Sequence, residues 1–185
     1  MKGADLHLVV RAADFAARRH VKQKRKGLAD EPYFNHLAEV AMLLATATGG
    51  EDAELVAAGF LHDTLEDTPT EYEELAAIFG AAIAKLVAEV TDDKSLPKEQ
   101  RKQLQVDTTP SKSARARLLK IADKTSNLRS LAMSPPADWN SERALNYVEW
   151  AERVVAGCRD LNASLEKSFD AAAADARAAI AAGSS

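Results

Sequence analysis

Gly59-Phe60-Leu61-His62-Asp63-Thr64-Leu65-Glu66-Asp67-Thr68 sets a histidine and three carboxylates at the end of an apolar run. Upstream, Leu55, Val56, Ala58, Gly59 and Leu61 recur as on a helix, and Asp52 is a residue type that caps one. Glu66 follows His62 by four residues and Asp67 follows Asp63 by four, so helical geometry puts all four side chains at one end or side. Imidazole with carboxylate suits a divalent transition metal. A second carboxylate pair beside it supplies the acid/base groups that a metal-activated water needs. A purely stabilising role for Glu66 and Asp67 is disfavoured, because negative charge at a helix C-terminus opposes the helix dipole.

Outward from this stretch the periodicity remains helical. Leu6, Val9, Val10, Ala13, Ala16 and Ala17 define a helix from about Asp5 to Lys22. The basic run Lys22 to Lys26 passes Gly27 into Leu28-Ala29-Asp30-Glu31-Pro32, read as a loop, and a second helix is expected from near His36 to Gly49-Gly50. Short helices are predicted over 70–79 and 81–91, then a polar one with Pro97 in its first turn, reaching about Val106. Ser111 or Ser113 starts a helix that carries Leu118, Leu119, Ile121 and Asp123 and stops before Pro135-Pro136. Two last helices follow, from Ser141 to Cys158 and over about 162–181, the second so rich in alanine that it reads as a packing strut. No stretch alternates convincingly as a strand, and no repeat or linker divides the chain. The expected fold class is all-α, a single-domain helical bundle spanning residues 1–185.

Composition agrees and excludes several functions. At 185 residues the chain holds one well-buried domain and hardly two. Apolar residues make up 46% but aromatics only 5%, so the core is built from Ala, Leu and Val, with few rings left to stack on bases. A net charge of −4 argues against general affinity for nucleic acid or an anionic membrane. No apolar segment approaches the ~20 residues of a membrane span, no secretory signal pattern precedes Asp5, and the lone Cys158 suits a reducing compartment. A cytoplasmic location is expected, with no protein partner evident.

A mononuclear metal site needs three or four protein ligands, and His36, His62, Asp63 and Asp123 would supply them. Asp63 and Asp123 end apolar runs, where an uncompensated carboxylate is costly. His7 and His20 carry no such company and read as surface or satisfied core residues. Tyr147 and Trp150 read first as packing residues.

In order along the chain, His36, then His62-Asp63 with Glu66-Asp67, then Asp123 with Asn127 resemble the HD-domain phosphohydrolases, specifically their (p)ppGpp hydrolase branch. The similarity is greatest to the single-domain small alarmone hydrolases, related to the hydrolase half of bifunctional RelA/SpoT-type enzymes. Supporting segments are Arg25-Lys26 ahead of Pro32-Tyr33-Phe34-Asn35-His36, Glu89 to Pro97, and Arg101-Lys102-Gln103-Leu104-Gln105, and the resemblance covers about Ala12 to Gly157. The chain departs from the family at Thr125 and Ser126, where a bulky apolar residue and an aromatic are usual, and at Leu37, where proline is common.

The resemblance implies one Mn2+ per chain on His36, His62, Asp63 and Asp123, with Glu66 and Asp67 acting on the nucleophilic water. The implied reaction is hydrolysis of ppGpp or pppGpp at the 3′-linked phosphate, giving GDP or GTP and pyrophosphate, without a synthetase activity. A nucleotide with diphosphates at both ends needs cations on two sides: Arg25 and Lys26 for one, Lys98, Arg101 and Lys102 for the other. By resemblance Asn127 lies near ribose and metal, and Arg143 and Tyr147 line the nucleotide pocket. Two other readings stand beside this one. One is a phosphatase acting on another phosphorylated ribose, such as the 2′-phosphate of NADPH, and the other is a regulatory module with an inactive HD site.

Overall fold

The computed structural model describes residues 3–27 and 29–183, and among these the regular structure is helical. The order is α1 (Gly3–Arg19), α2 (Phe34–Ala47), α3 (Ala53–Leu61), α4 (Thr64–Asp67), α5 (Tyr72–Phe79), α6 (Ala81–Val90), α7 (Lys98–Thr108), a 3-10 turn (Thr109–Ser111), α8 (Ala114–Met133), α9 (Ser141–Ala156) and α10 (Ala163–Gly183). A single isolated bridge, Lys24 to Pro32, closes the loop between α1 and α2. Leu28, read as part of that loop, lies outside the described residues.

Local chemistry sets most boundaries. Asp52 accepts from Leu55 N at 3.0 Å, Ser113 from Ala116 N at 3.2 Å and Asn140 from Arg143 N at 2.8 Å, each satisfying an amide that the first helical turn leaves open. Gly49 and Gly50, at φ 61° and 73°, take the left-handed conformation that ends α2. Several expected bounds shift. α1 ends at Arg19, short of Lys22, α2 begins at Phe34, before His36, and Pro97 precedes α7 as its N-cap with extended ψ 146° instead of entering its first turn.

In the opening stretch the third helix ends at the His62–Asp63 pair, as its pattern predicts, and the turn beyond it is separate. His62 keeps helical angles, Asp63 turns to φ −97°, ψ 0°, and α4 is a single turn. The Thr64 hydroxyl donates to Leu61 O at 2.6 Å and takes up a carbonyl that a continuing helix would have used.

A cluster of buried apolar side chains extends from Ala12 on α1 to Ala176 on α10, with Leu37, Leu44, Leu55, Leu61, Leu119, Leu128 and Phe169 among its fully buried members. α3 packs against α1 and α2, and α8 packs against α2, α9 and α10. The alanine-rich α10 thus lies along α8 and α9, as its composition predicts. Small residues let the helices approach. A Cβ on Gly59 would stand 2.9 Å from Leu44 Cδ1 and 3.0 Å from Ala41 Cα, so the α2–α3 crossing depends on its absence. That crossing sets His36 beside the α3–α4 junction.

Candidate metal centre

Three elements converge on one point. α2 contributes His36, the junction after α3 contributes His62 and Asp63, and α8 contributes Asp123. His36, His62 and Asp123, all buried, offer donor atoms that lie within 4.8 Å of one another. Asp63 adjoins this trio, its Oδ2 standing 3.6 Å from His36 Nε2 and 3.0 Å from His62 Nε2, while Asp123 Oδ1 is 3.4 Å from His36 Nε2.

Both imidazoles are held from behind. His62 Nδ1 lies 2.8 Å from Gly59 O, which can only accept, so this nitrogen carries the proton. His36 Nδ1 lies 2.9 Å from Ser126 Oγ, whose own proton goes to Glu39 Oε2 at 2.7 Å, and Arg129 holds Glu39 at 2.9 Å. The serine oxygen is therefore an acceptor for the ring. In both histidines Nε2 faces the centre and is the atom a metal would take, Nδ1 being engaged behind it. The buried His62 Nε2 has no well-directed hydrogen-bond partner, the signature of a nitrogen that serves something else. Two such nitrogens and two carboxylates fit a borderline divalent ion.

The charges support the same reading. Burial opposes a charged His62 ring, yet Asp63 and Asp123 raise it to about 9, and burial likewise opposes ionisation of Asp63, yet His62 and His36 hold it well below the usual carboxylate range. Without a metal, a proton on His62 offsets the neighbouring carboxylates, and a divalent cation would displace it.

Around the cluster stand Asn127, expected near the metal, and three residues the sequence reading missed, Tyr33, Lys120 and Lys124. Tyr33 donates its hydroxyl to Asp63 Oδ2 at 2.6 Å. Asn127 donates to Asp123 Oδ1 at 2.6 Å and Lys124 to Asp123 Oδ2 at 2.9 Å; Lys124 also sits over the Trp150 ring at 4.4 Å. The buried Lys120 donates to Val90 O at 2.8 Å, and burial together with Lys124 lowers its pKa. A signal for the lysines existed. Lys120, Asp123, Lys124 and Asn127 recur at spacings of three and four on one face of a helix whose neighbouring positions Leu118, Leu119, Ile121 and Ala122 are apolar.

Glu66 and Asp67, on α4, lie on the rim. Burial raises Glu66 above its ordinary value although the Asp92 amide donates to its Oε2 at 3.1 Å. Asp67 accepts from Gln23 Nε2 at 2.9 Å on one oxygen and pairs with Lys94 through the other.

An inner hollow of about 150 Å³ is lined by His62, Asp63 and Asp123 together with Tyr33, Glu66, Asp67 and Asn127. A second, of about 420 Å³, shares those last four residues and adds Arg25, Lys26, Lys94, Arg101 and Tyr147. Arg25 is held in place by Asn127 Oδ1 at 3.3 Å and Ser126 O at 3.4 Å. Lys98, Lys102 and Arg143 line only an outer hollow of about 1020 Å³, which meets the second at Lys26, Arg101 and Tyr147. Of these three hollows the outer one is the largest and stands away from the His–Asp cluster, which lines the inner one. Arg143 pairs with Asp138 at 3.1 Å, and Tyr147 lies between Trp139 and Trp150, tilted at 54° and 56° to them, and lines the second and outer hollows.

Comparison with known proteins places this geometry. The HD domain family matches residues 12–148. The chain is 45% identical over 167 residues to guanosine-3′,5′-bis(diphosphate) 3′-pyrophosphohydrolase MESH1 of Homo sapiens, covering 90% of this chain and 93% of that protein. It is 41% identical over 128 residues to a guanosine-3′,5′-bis(diphosphate) 3′-pyrophosphohydrolase of Aquifex aeolicus, covering 66% of this chain and 18% of that much longer protein. Among solved structures, a metazoan orthologue of SpoT described as hydrolysing ppGpp and acting in starvation responses aligns with a TM-score of 0.86 at 39% identity, over 89% of this chain and 93% of that one. Similarity of this degree, sustained along almost the whole of both chains, has common descent as its explanation, and the protein belongs to the HD-domain family, in its (p)ppGpp hydrolase branch.

Proposed function

We propose that this protein hydrolyses ppGpp and pppGpp at the 3′-linked phosphate, releasing pyrophosphate and GDP or GTP, with one Mn2+ held by His36, His62, Asp63 and Asp123. The observation that carries the proposal is the position of Glu66 and Asp67 on the shared wall between the His–Asp hollow and the cation-lined one. A water attacking phosphorus at that wall has carboxylates beside it, and the charged end of the substrate has arginine and lysine around it. The bound metal supplies a water of lowered pKa and offsets phosphate charge.

The chain's own residues do the rest. Arg25 and Lys26 bind the reacting diphosphate as charge-assisted donors. Glu66, raised by burial, exchanges a proton with the water, and Asp67, held on both oxygens, orients it. Asn127 links Arg25 to Asp123 and so couples the phosphate clamp to the ligand set. Lys98, Arg101, Lys102 and Arg143 serve the far phosphates in the outer hollow, and Tyr147 borders the nucleoside. The continuous apolar cluster supports one hydrolase unit across the chain. No helix of the described residues is long and apolar enough to cross a membrane, and the buried free Cys158 suits a reducing compartment; we place the activity in the cytoplasm.

The test is to incubate Mn2+-loaded protein separately with ppGpp, pppGpp and NADPH and to identify the phosphorus product. Pyrophosphate from the guanosine nucleotides is expected. Orthophosphate from NADPH alone would replace this function by a 2′-phosphatase, and no product from any substrate would leave a regulatory module.

A further inference from the structure

His20 lies just beyond α1, away from the ligand set, and is 3% exposed. Its Nδ1 stands 2.5 Å from Gln23 Oε1, and the amide nitrogen of the same side chain donates to Asp67 Oδ2 at 2.9 Å. The two contacts determine each other. A carboxylate oxygen accepts from NH2, so the amide carbonyl must face His20, and the ring must present Nδ1–H to it. The ring's other nitrogen, Nε2, is buried without a partner. A phenyl ring would fill the site without that unsatisfied atom, so what the imidazole adds is the Nδ1–H bond to Gln23. The same ring stacks on Tyr33 at 5.3 Å and 24°, and Tyr33 donates to Asp63 at 2.6 Å. One buried histidine thus backs two arms, one ending on Asp67 and the other on Asp63.

We infer that His20 is a positioning residue for the hydrolytic reaction, holding the Gln23 amide in the orientation that aims Asp67 at the attacking water and bracing Tyr33 against Asp63. This rests on the role proposed above for Asp67. Asp67 lies on a single-turn helix, and Gln23 ties it to the α1–α2 loop across 44 residues. Without a defined amide orientation, Gln23 can turn its carbonyl towards the carboxylate and repel it.

His20→Phe keeps the ring against Tyr33 and removes the donor; Gln23→Met, at a half-buried position, removes the amide and keeps its length. Each should lower kcat for pyrophosphate release from ppGpp by roughly 10- to 100-fold, the scale of a misplaced reacting group, with KM within about 2-fold. In an Asp67→Asn background His20→Phe should then change kcat by less than about 2-fold, because the two residues act through one path. A structural role would not produce this non-additivity. Independently of activity, ring 15N shifts of metal-free protein should show His20 carrying its proton at Nδ1, and Gln23→Met should abolish that preference. Wild-type kcat in His20→Phe, full multiplication of the two losses, or a tautomer indifferent to Gln23→Met would each overturn the inference. If wild-type protein releases no pyrophosphate, the proposed function fails and the tautomer measurement still decides the contact. If it does release pyrophosphate and His20→Phe keeps wild-type kcat, only the inference fails.

Discussion

Glu66 and Asp67 share an address and differ in environment. Burial pushes the Glu66 carboxyl up, whereas Asp67 has both oxygens tied by Gln23 and Lys94. Glu66→Gln and Asp67→Asn remove charge and proton affinity at nearly constant shape, so each should lower kcat by roughly 100-fold or more while metal content, read by elemental analysis, stays unchanged. The protonated Glu66 cannot accept a proton. Activity should therefore fall on the acidic side at a pH above the ordinary glutamate value of 4.5, and Glu66→Gln should erase that limb of the kcat profile. Ser126 tests the ligand scaffold. Ser126→Ala leaves His36 Nδ1 and Glu39 without their shared partner, and Mn2+ titration of the apo protein should show affinity reduced by roughly 10- to 100-fold. Thr125 and Ser126, the departures from the family's usual residues, thus have work inside α8. Thr125 returns its hydroxyl to Ile121 O at 2.7 Å, and Ser126 backs a candidate ligand.

Among the elements, the α2–α3 crossing decides whether His36 and His62 meet. Gly59→Ala would press a methyl onto Ala41 Cα, a backbone atom that cannot turn aside, and should cost about 1–3 kcal/mol, measured as a lowered Tm. It should also weaken Mn2+ binding, because α3 must move away from α2. The cap at Asp52 was legible beforehand and that at Ser113 was one of two candidates with Ser111, since a cap is a contact over three residues and its chemistry is written locally. The end of α3 at the His62–Asp63 pair was legible too, whereas the separate turn of α4 was not. His62 and Asp63 are each compatible with helix, and Asp63 leaves it with its side chain held by Tyr33, thirty positions back in the chain.

For the whole molecule, the ligand set is a stability statement as well as a chemical one. Asp63 is half-buried and Asp123 buried beside the core, so a divalent ion that binds only the folded chain should raise Tm in a concentration-dependent way. At 100 times Kd the gain is about 2.7 kcal/mol. Thermal melts with chelator and with increasing Mn2+ check this. Asp123→Ala should remove the metal-dependent part, and an unchanged shift in that variant would take Asp123 out of the shell. The sequence by itself determined the helical class, most helix ends and the kind of chemistry to look for, because periodicity, caps and residue types are properties of neighbours in the chain. Only the tertiary structure decided that four candidate ligands from three elements stand together, that Ser126 reaches His36 across 90 residues, and that a histidine passed over as ordinary stands behind Asp67. Such contacts depend on where helices cross, and a crossing is set by the packing of side chains far apart in sequence.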